Sequence, residues 1–186
     1  MRLAMRHAQL AFRDKEVPIG AVIVEDVSGR VLATSRNRVE ASQDPTTHAE
    51  MNCIRAATEI LENWRLGGCT LYTTLEPCPM CMGTAMAARV SRVVYGASDP
   101  RLGAAGGGFL NMPAMEHPFH SIAVQGGVLE RESQLLLTRF FRERRREKKR
   151  GARATTTGGG GVAIGADAAD DKADDFESDS RGYHED

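Results

Sequence analysis

Residues 44–55 read DPTTHAEMNCIR and residues 70–81 read TLYTTLEPCPMC. The run Thr70 to Thr74 predicts a strand, and Cys78 to Ala88, introduced by Pro77, predicts a helix. In the earlier stretch Met51, Ile54, Ala57 and Leu61 fall on one helical face. Ala49 to Leu61 is therefore a second helix, broken by Gly67-Gly68. Both motifs stand where a helix begins.

Working outward, Ile19 to Val24 and Val31 to Thr34 are short apolar runs joined by a Ser28-Gly29 turn signal, which predicts a hairpin. Arg2 to Arg13 has the pattern of an amphipathic helix, with Leu3, Met5, Leu10 and Phe12 apolar. Asn37 to Thr47 is a polar loop. Beyond the second motif come a strand at Arg92 to Tyr95, a glycine-rich loop at Gly103 to Gly108, a weak strand at Ile122 to Gln125 and a helix at Glu130 to Lys149. Strands alternating with helices predict an α/β sandwich around a mixed sheet, antiparallel in the hairpin and parallel where helices intervene.

The sequence has 186 residues, 41% of them hydrophobic, enough for one core. No apolar run approaches the roughly 18 residues of a membrane span, and Met1 to Asp14 shows no secretory pattern. Residues 1–150 hold 21 basic and 16 acidic side chains, whereas residues 151–186 hold 3 and 9. The expected division is a basic folded domain at 1–150 and a disordered, low-complexity acidic tail at 151–186. The four cysteines, two of them in a C-x-x-C, suit a reducing intracellular compartment and a metal site better than disulfides.

The chemistry concentrates in His48-Ala49-Glu50 and Cys78-Pro79-Met80-Cys81. Cys78 and Cys81 share one side of a first helical turn, and the helix N-terminus favours thiolates. With His48 they make three zinc ligands, one zinc per chain, leaving a position open for water as in catalytic sites. Glu50 lies about 200° from His48 on an ideal helix. It reaches the same site only at the helix entrance, and there it would move protons between water and substrate. This H-x-E with P-C-x-x-C is the known signature of zinc deaminases. The alternative is a four-ligand structural zinc using Cys53 or Cys69, which would leave Glu50 without a role. Cys53 and Cys69 otherwise read as small buried hydrophobes.

The chain resembles the tRNA-specific adenosine deaminases, within the cytidine-deaminase-like superfamily. The resemblance rests on EVPIGAVIV at 16–24, Asn37, the two stretches quoted above, GAxDxxxGAAG at 96–106 and GVLExExxxLLxxFFRxRR at 127–145, the last with Ser133 where many relatives carry Cys. It implies a three-layer α/β/α sandwich around a five-stranded mixed sheet. The activity implied is conversion of adenosine to inosine at the wobble position of a tRNA, usually an arginine tRNA with its anticodon loop. Ile19, Asn37, Pro77 and Asp99 would line the flipped nucleotide, and a homodimer would form with no membrane or DNA partner. The helix from Cys78, with Met82, Ala85, Met86 and Ala87, is a candidate dimer face. Residues 139–150 carry eight basic and two acidic side chains, so Arg142, Arg144, Arg145 and Arg146 are candidate RNA contacts. The segment Asn111 to His120 resembles plastid enzymes, pointing to a chloroplast or otherwise the cytoplasm; His117 and His120 read as loop residues. The rival readings are a guanine or cytosine-type deaminase and a non-catalytic RNA-binding subunit.

Overall fold

The computed structural model describes residues 1–115 and 119–156, with side chains through Gly151. The elements are α1 (Arg2–Arg13), β1 (Gly20–Glu25), β2 (Val31–Arg36), α2 (Val39–Ser42), α3 (Ala49–Leu61), β3 (Cys69–Leu75), α4 (Pro79–Ala87), β4 (Arg92–Ala97), a short 3₁₀ turn at Met112–Ala114, β5 (Ala123–Gln125) and α5 (Glu130–Thr156). One five-stranded sheet runs in the order β2-β1-β3-β4-β5. β1 is antiparallel to β2 and also to β3, while β3, β4 and β5 are mutually parallel. The expected mixed sheet is present, with a second antiparallel junction between β1 and β3 that the helix-separated strands did not announce.

Alternation along the strands divides the core into two layers. Ala21, Ile23, Leu71 and Val93 join Cys53, Ile54 and Ala57 of α3 and Met82 and Ala85 of α4 in one cluster. The larger of these, Ile23, Leu71, Met82 and Val93, contribute about 1.5–3 kcal/mol each. Val22 and Val94 point the other way, toward the side covered by α1, whose Ala4, Ala8 and Ala11 are completely buried. Contact there is close enough that a Cβ on Gly20 would fall on the Ala4 carbonyl oxygen and the Ala8 nitrogen. Glycine at position 20 is thus what lets α1 lie flat on β1. Ser133, at the start of α5, is buried on this side and donates to Met5 Sδ at 3.4 Å.

α3 ends at Leu61 as expected, with Glu62 turning left-handed (φ 49°) six residues before Gly68. Its Asn63 N–H caps the Thr58 carbonyl. The polar loop from Asn37 contains the single turn α2. α5 continues to Thr156, past the expected end at Lys149. One internal glycine costs about 1 kcal/mol in a helix, which neighbouring arginines and alanines tolerate. Residues 138 onward form a unit separate from Met1–Leu137. The acidic tail beyond Thr156 and His117 lie outside the described residues.

Candidate metal centre and active site

Strand register gathers the predicted site residues at one end of the sheet. β1 begins where β2 ends, Gly20 opposite Arg36. β3 and β4 finish together, Leu75 opposite Ala97, and Ala21 pairs with Thr73, so the start of β1 lies at that same end. Ile19, Asn37, Pro77, Cys78 and Asp99 are the residues next to these strand ends. His48 is brought in by Thr47, whose carbonyl accepts the Arg38 N–H and the Asn52 Nδ2, both at 3.1 Å.

Both motifs cap helices with extended backbone, His48 at α3 (φ −63°, ψ 155°) and Cys78 at α4 (φ −70°, ψ 170°). Pro79 occupies the first turn of α4, where its missing N–H costs nothing. His48 Nδ1 lies 3.7 Å from Cys78 Sγ and 3.5 Å from Cys81 Sγ. The three ligand atoms all lie within 4.8 Å of one another. Hydrogen bonds from Cys81 and then His48 lower the Cys78 thiol to about 4. The same hydrogen bond, seen from its donor, holds the Cys81 proton on and raises that thiol. The Cys78 hydrogen bond raises the imidazole of His48. A cation bound between these donors would displace thiol protons. Two sulfurs and one imidazole nitrogen, converging and partly buried, are a donor set suited to zinc.

Glu50 is in the first turn of α3 and is buried. Its Oε1 accepts from Thr73 Oγ1 at 3.3 Å, and its Oε2 has no hydrogen-bond partner among the described residues. Burial, the largest influence, pushes this carboxyl above the usual range. A buried carboxylate oxygen left without a donor costs about 1–3 kcal/mol or more, a standing reason to look for a reacting partner.

The surroundings were only partly foreseen. Ile19 is half-buried and packs on the core. Pro77 is buried, its carbonyl accepting the Ala104 N–H at 2.9 Å. Asn37 is 4% exposed. Asp99 Oδ1 caps its own turn by accepting the N–H groups of Arg101 and Leu102. Two glutamates passed unnoticed in the sequence. Glu76, fully enclosed, accepts N–H groups from Asp99 (3.0 Å), Ala105 (3.0 Å) and Gly107 (2.9 Å), and so folds the glycine-rich loop against the metal-bearing segment. A Cβ on Gly103 would collide with its carboxylate. Glu16, equally buried, lies under Asn37. An acidic residue beside Pro in an apolar setting, as in Glu16-Val17-Pro18 and Glu76-Pro77, was the available signal. Cys53 is wholly buried with its thiol pushed up to about 12 by burial; it and Cys69 stand apart from the triad, and all four cysteines are free. His120 Nε2 lies 2.7 Å from the Val90 carbonyl. The candidate dimer face on α4 is corrected for three of its four residues: Met82 and Ala85 are fully buried and Met86 is 8% exposed, because this side of the helix fills the chain's own core, while Ala87 is exposed.

The protein should bind one zinc per chain, measurable by elemental analysis after dialysis. Cys78→Ser and Cys81→Ser should each lose the metal and lower the melting temperature, since metal affinity adds to folding stability. Cys53→Ala should keep the full equivalent; loss of zinc in that variant would make Cys53 a ligand and remove the open position.

A family model described as the cytidine and deoxycytidylate deaminase zinc-binding region matches residues 1–97. The tRNA-specific adenosine deaminase of Bacillus subtilis is 45% identical over 142 residues, covering 76% of this chain and 86% of that protein. The chloroplastic tRNA(adenine(34)) deaminase of Arabidopsis thaliana is 42% identical over 157 residues, covering 76% of this chain but 12% of that longer protein. A solved structure from a study of A-to-I editing by tRNA:A34 deaminases is 43% identical, with a TM-score of 0.69 over 74% of this chain and 97% of that one. The chain belongs to the tRNA-specific adenosine deaminases, within the zinc-binding deaminase family.

Proposed function

We propose that the chain hydrolyses adenosine to inosine at wobble position 34 of a tRNA, releasing ammonia. The observation that carries this reading is the buried, half-unpartnered Glu50 carboxylate packed beside a three-donor His48, Cys78, Cys81 set. Zinc held by those three residues supplies Lewis-acid activation of water near neutral pH. Glu50 takes one proton from the attacking water and delivers it to the purine N1; it then takes the second from the hydroxyl added at C6 and gives it to the amino group, which leaves as ammonia when the C6–N bond breaks. Thr73 fixes one Glu50 oxygen and leaves the other for this exchange. Ile19, Pro77 and Asn37 form the walls for the base, and Asp99 a polar edge. An anticodon loop suits such a buried site because its bases are already partly unstacked and can swing in for a few kcal/mol. An arginine tRNA is the substrate implied by the resemblance. The plastid-like insert, together with the Arabidopsis relative, supports a plastid setting; no described helix is long and apolar enough to cross a membrane.

Incubation with total tRNA followed by sequencing should reveal inosine at position 34; its absence with zinc-loaded protein rejects the reading. Glu50→Gln should lower turnover by about 10²–10⁴-fold while zinc and RNA binding persist. Turnover near the parent rate would remove Glu50 from the proton path.

Arg142, Arg144, Arg145 and Arg146 are exposed on α5, Arg144 within 3.9 Å of Glu147. Exposed pairs of this kind contribute little and leave the guanidinium accessible to phosphate. Neutralising Arg144, Arg145 and Arg146 should weaken tRNA binding and reduce the log–log salt slope by about 2, at about 0.7 per lost phosphate contact. An unchanged slope would make this stretch a solvated helix end.

The resemblance supports a homodimer. Sedimentation at micromolar concentration should give twice the chain mass, and a fully active monomer would overturn this while leaving the metal centre untouched.

A further inference from the structure

Glu16 is a carboxylate with 1% of its surface exposed and no cation to balance it among the contacts it makes. It is delivered to its place by the end of α1. Lys15 turns left-handed (φ 62°), and the Glu16 N–H returns to the Ala11 carbonyl at 2.9 Å. The side chain then collects three donors from a segment more than twenty residues ahead. Asn37 Nδ2 donates to Oε2 at 3.1 Å, Glu40 N–H to Oε2 at 3.3 Å and Ala41 N–H to Oε1 at 2.8 Å. The last two are orphan donors of the first turn of α2, whose own cap residue, Arg38, gives no side-chain bond.

We infer that Glu16 is a positioning residue for the deamination reaction, acting through Asn37. An ionised carboxylate only accepts hydrogen bonds, so it dictates which end of the Asn37 amide faces it. The nitrogen must point at Glu16, and the amide plane is thereby set before any nucleotide arrives. The backbone of the same residue is pinned independently, its N–H donating to the Ile19 carbonyl at 3.0 Å, and the next N–H, of Arg38, reaches Thr47, the neighbour of His48. Glu16 therefore locks a side chain at the base wall and, through α2, the loop that ends at the metal ligand. Preorganisation of this kind is worth most in catalysis, where an ångström of misplacement can cost a hundredfold in rate. The inference rests on Asn37 contacting the nucleotide, as proposed above.

The test is a double-mutant cycle on the zinc-loaded full chain, with an anticodon stem-loop RNA as substrate. Glu16→Gln is nearly isosteric but offers one acceptor oxygen and a donating amide NH2 in place of two acceptor oxygens, so it cannot serve all three donors in the same geometry. It should lower kcat/KM by about tenfold in the parent. In the Asn37→Ala background the same change should cost less than twofold, although any effect on melting temperature through α2 should be alike in both. An equal fold-loss in the two backgrounds would make Glu16 a structural cap only and overturn the inference. If Asn37→Ala alone keeps parent activity, the base-wall role of Asn37 fails and the inference with it. Should Glu16→Gln not fold, the unaltered protein provides the reading: the Asn37 carboxamide protons should exchange with solvent far more slowly than those of exposed asparagines. Free exchange would overturn the pairing.

Discussion

The convergence of two sulfurs on one imidazole nitrogen organises the active end of this molecule. Cys78 and Cys81 lie at the start of a helix and both face His48 Nδ1. The three donor atoms lie within 4.8 Å of one another, a spacing that suits a shared cation. Everything around it serves to bring two helix starts to a common point. Cys78 and His48 are both cap residues in extended conformation, and each is fed by chain leaving the same end of the sheet.

Three glutamates are buried among the described residues, and their hydrogen bonding separates their roles. Glu76 receives three backbone N–H groups and Glu16 two backbone N–H groups plus an amide. Both are satisfied and hold loops. Glu50 has one long bond to a threonine hydroxyl and an oxygen with none. Burying a carboxylate is costly unless donors compensate it. The same burial that is compensated at positions 16 and 76 is left uncompensated at 50, and a group in that condition is poised to exchange protons.

The converging donor set and the buried Glu50 were legible because they are local: His48 and Glu50 sit two apart, Cys78 and Cys81 three apart, and spacing on a helix entrance decides what they face. The strands and α3 were legible for the same reason, from short-period apolar patterns. Glu16 and Glu76 were not, since their partners lie more than twenty residues away and are mostly backbone N–H groups with no side-chain signature. The α4 apolar face was misassigned because Met82, Ala85 and Met86 look identical whether they meet a second subunit or their own sheet; only the packing against Leu71 and Val93 distinguishes the two. The end of α3 at Leu61 was legible from its apolar face, although the residue that turns the chain is the left-handed Glu62 and not the glycine pair further on.

The reversed strand β1 is what makes a single site possible. In the parallel part of the sheet, strand ends deliver Pro77, Cys78 and Asp99 to one end, as carboxyl ends of parallel strands generally deliver ligand-binding residues. The hairpin brings the end of β2 there too. Because β1 runs against both neighbours, its beginning also lies at that end. The turn out of α1 then drops Glu16 and Ile19 beside Asn37, and Gly20 lets α1 lie close enough for this to happen. A β1 parallel to β3 would carry those residues to the opposite end, about 20 Å away at 3.3 Å per residue. The metal-binding donors would still converge, but without Glu16, Ile19 and Asn37 at their end of the sheet.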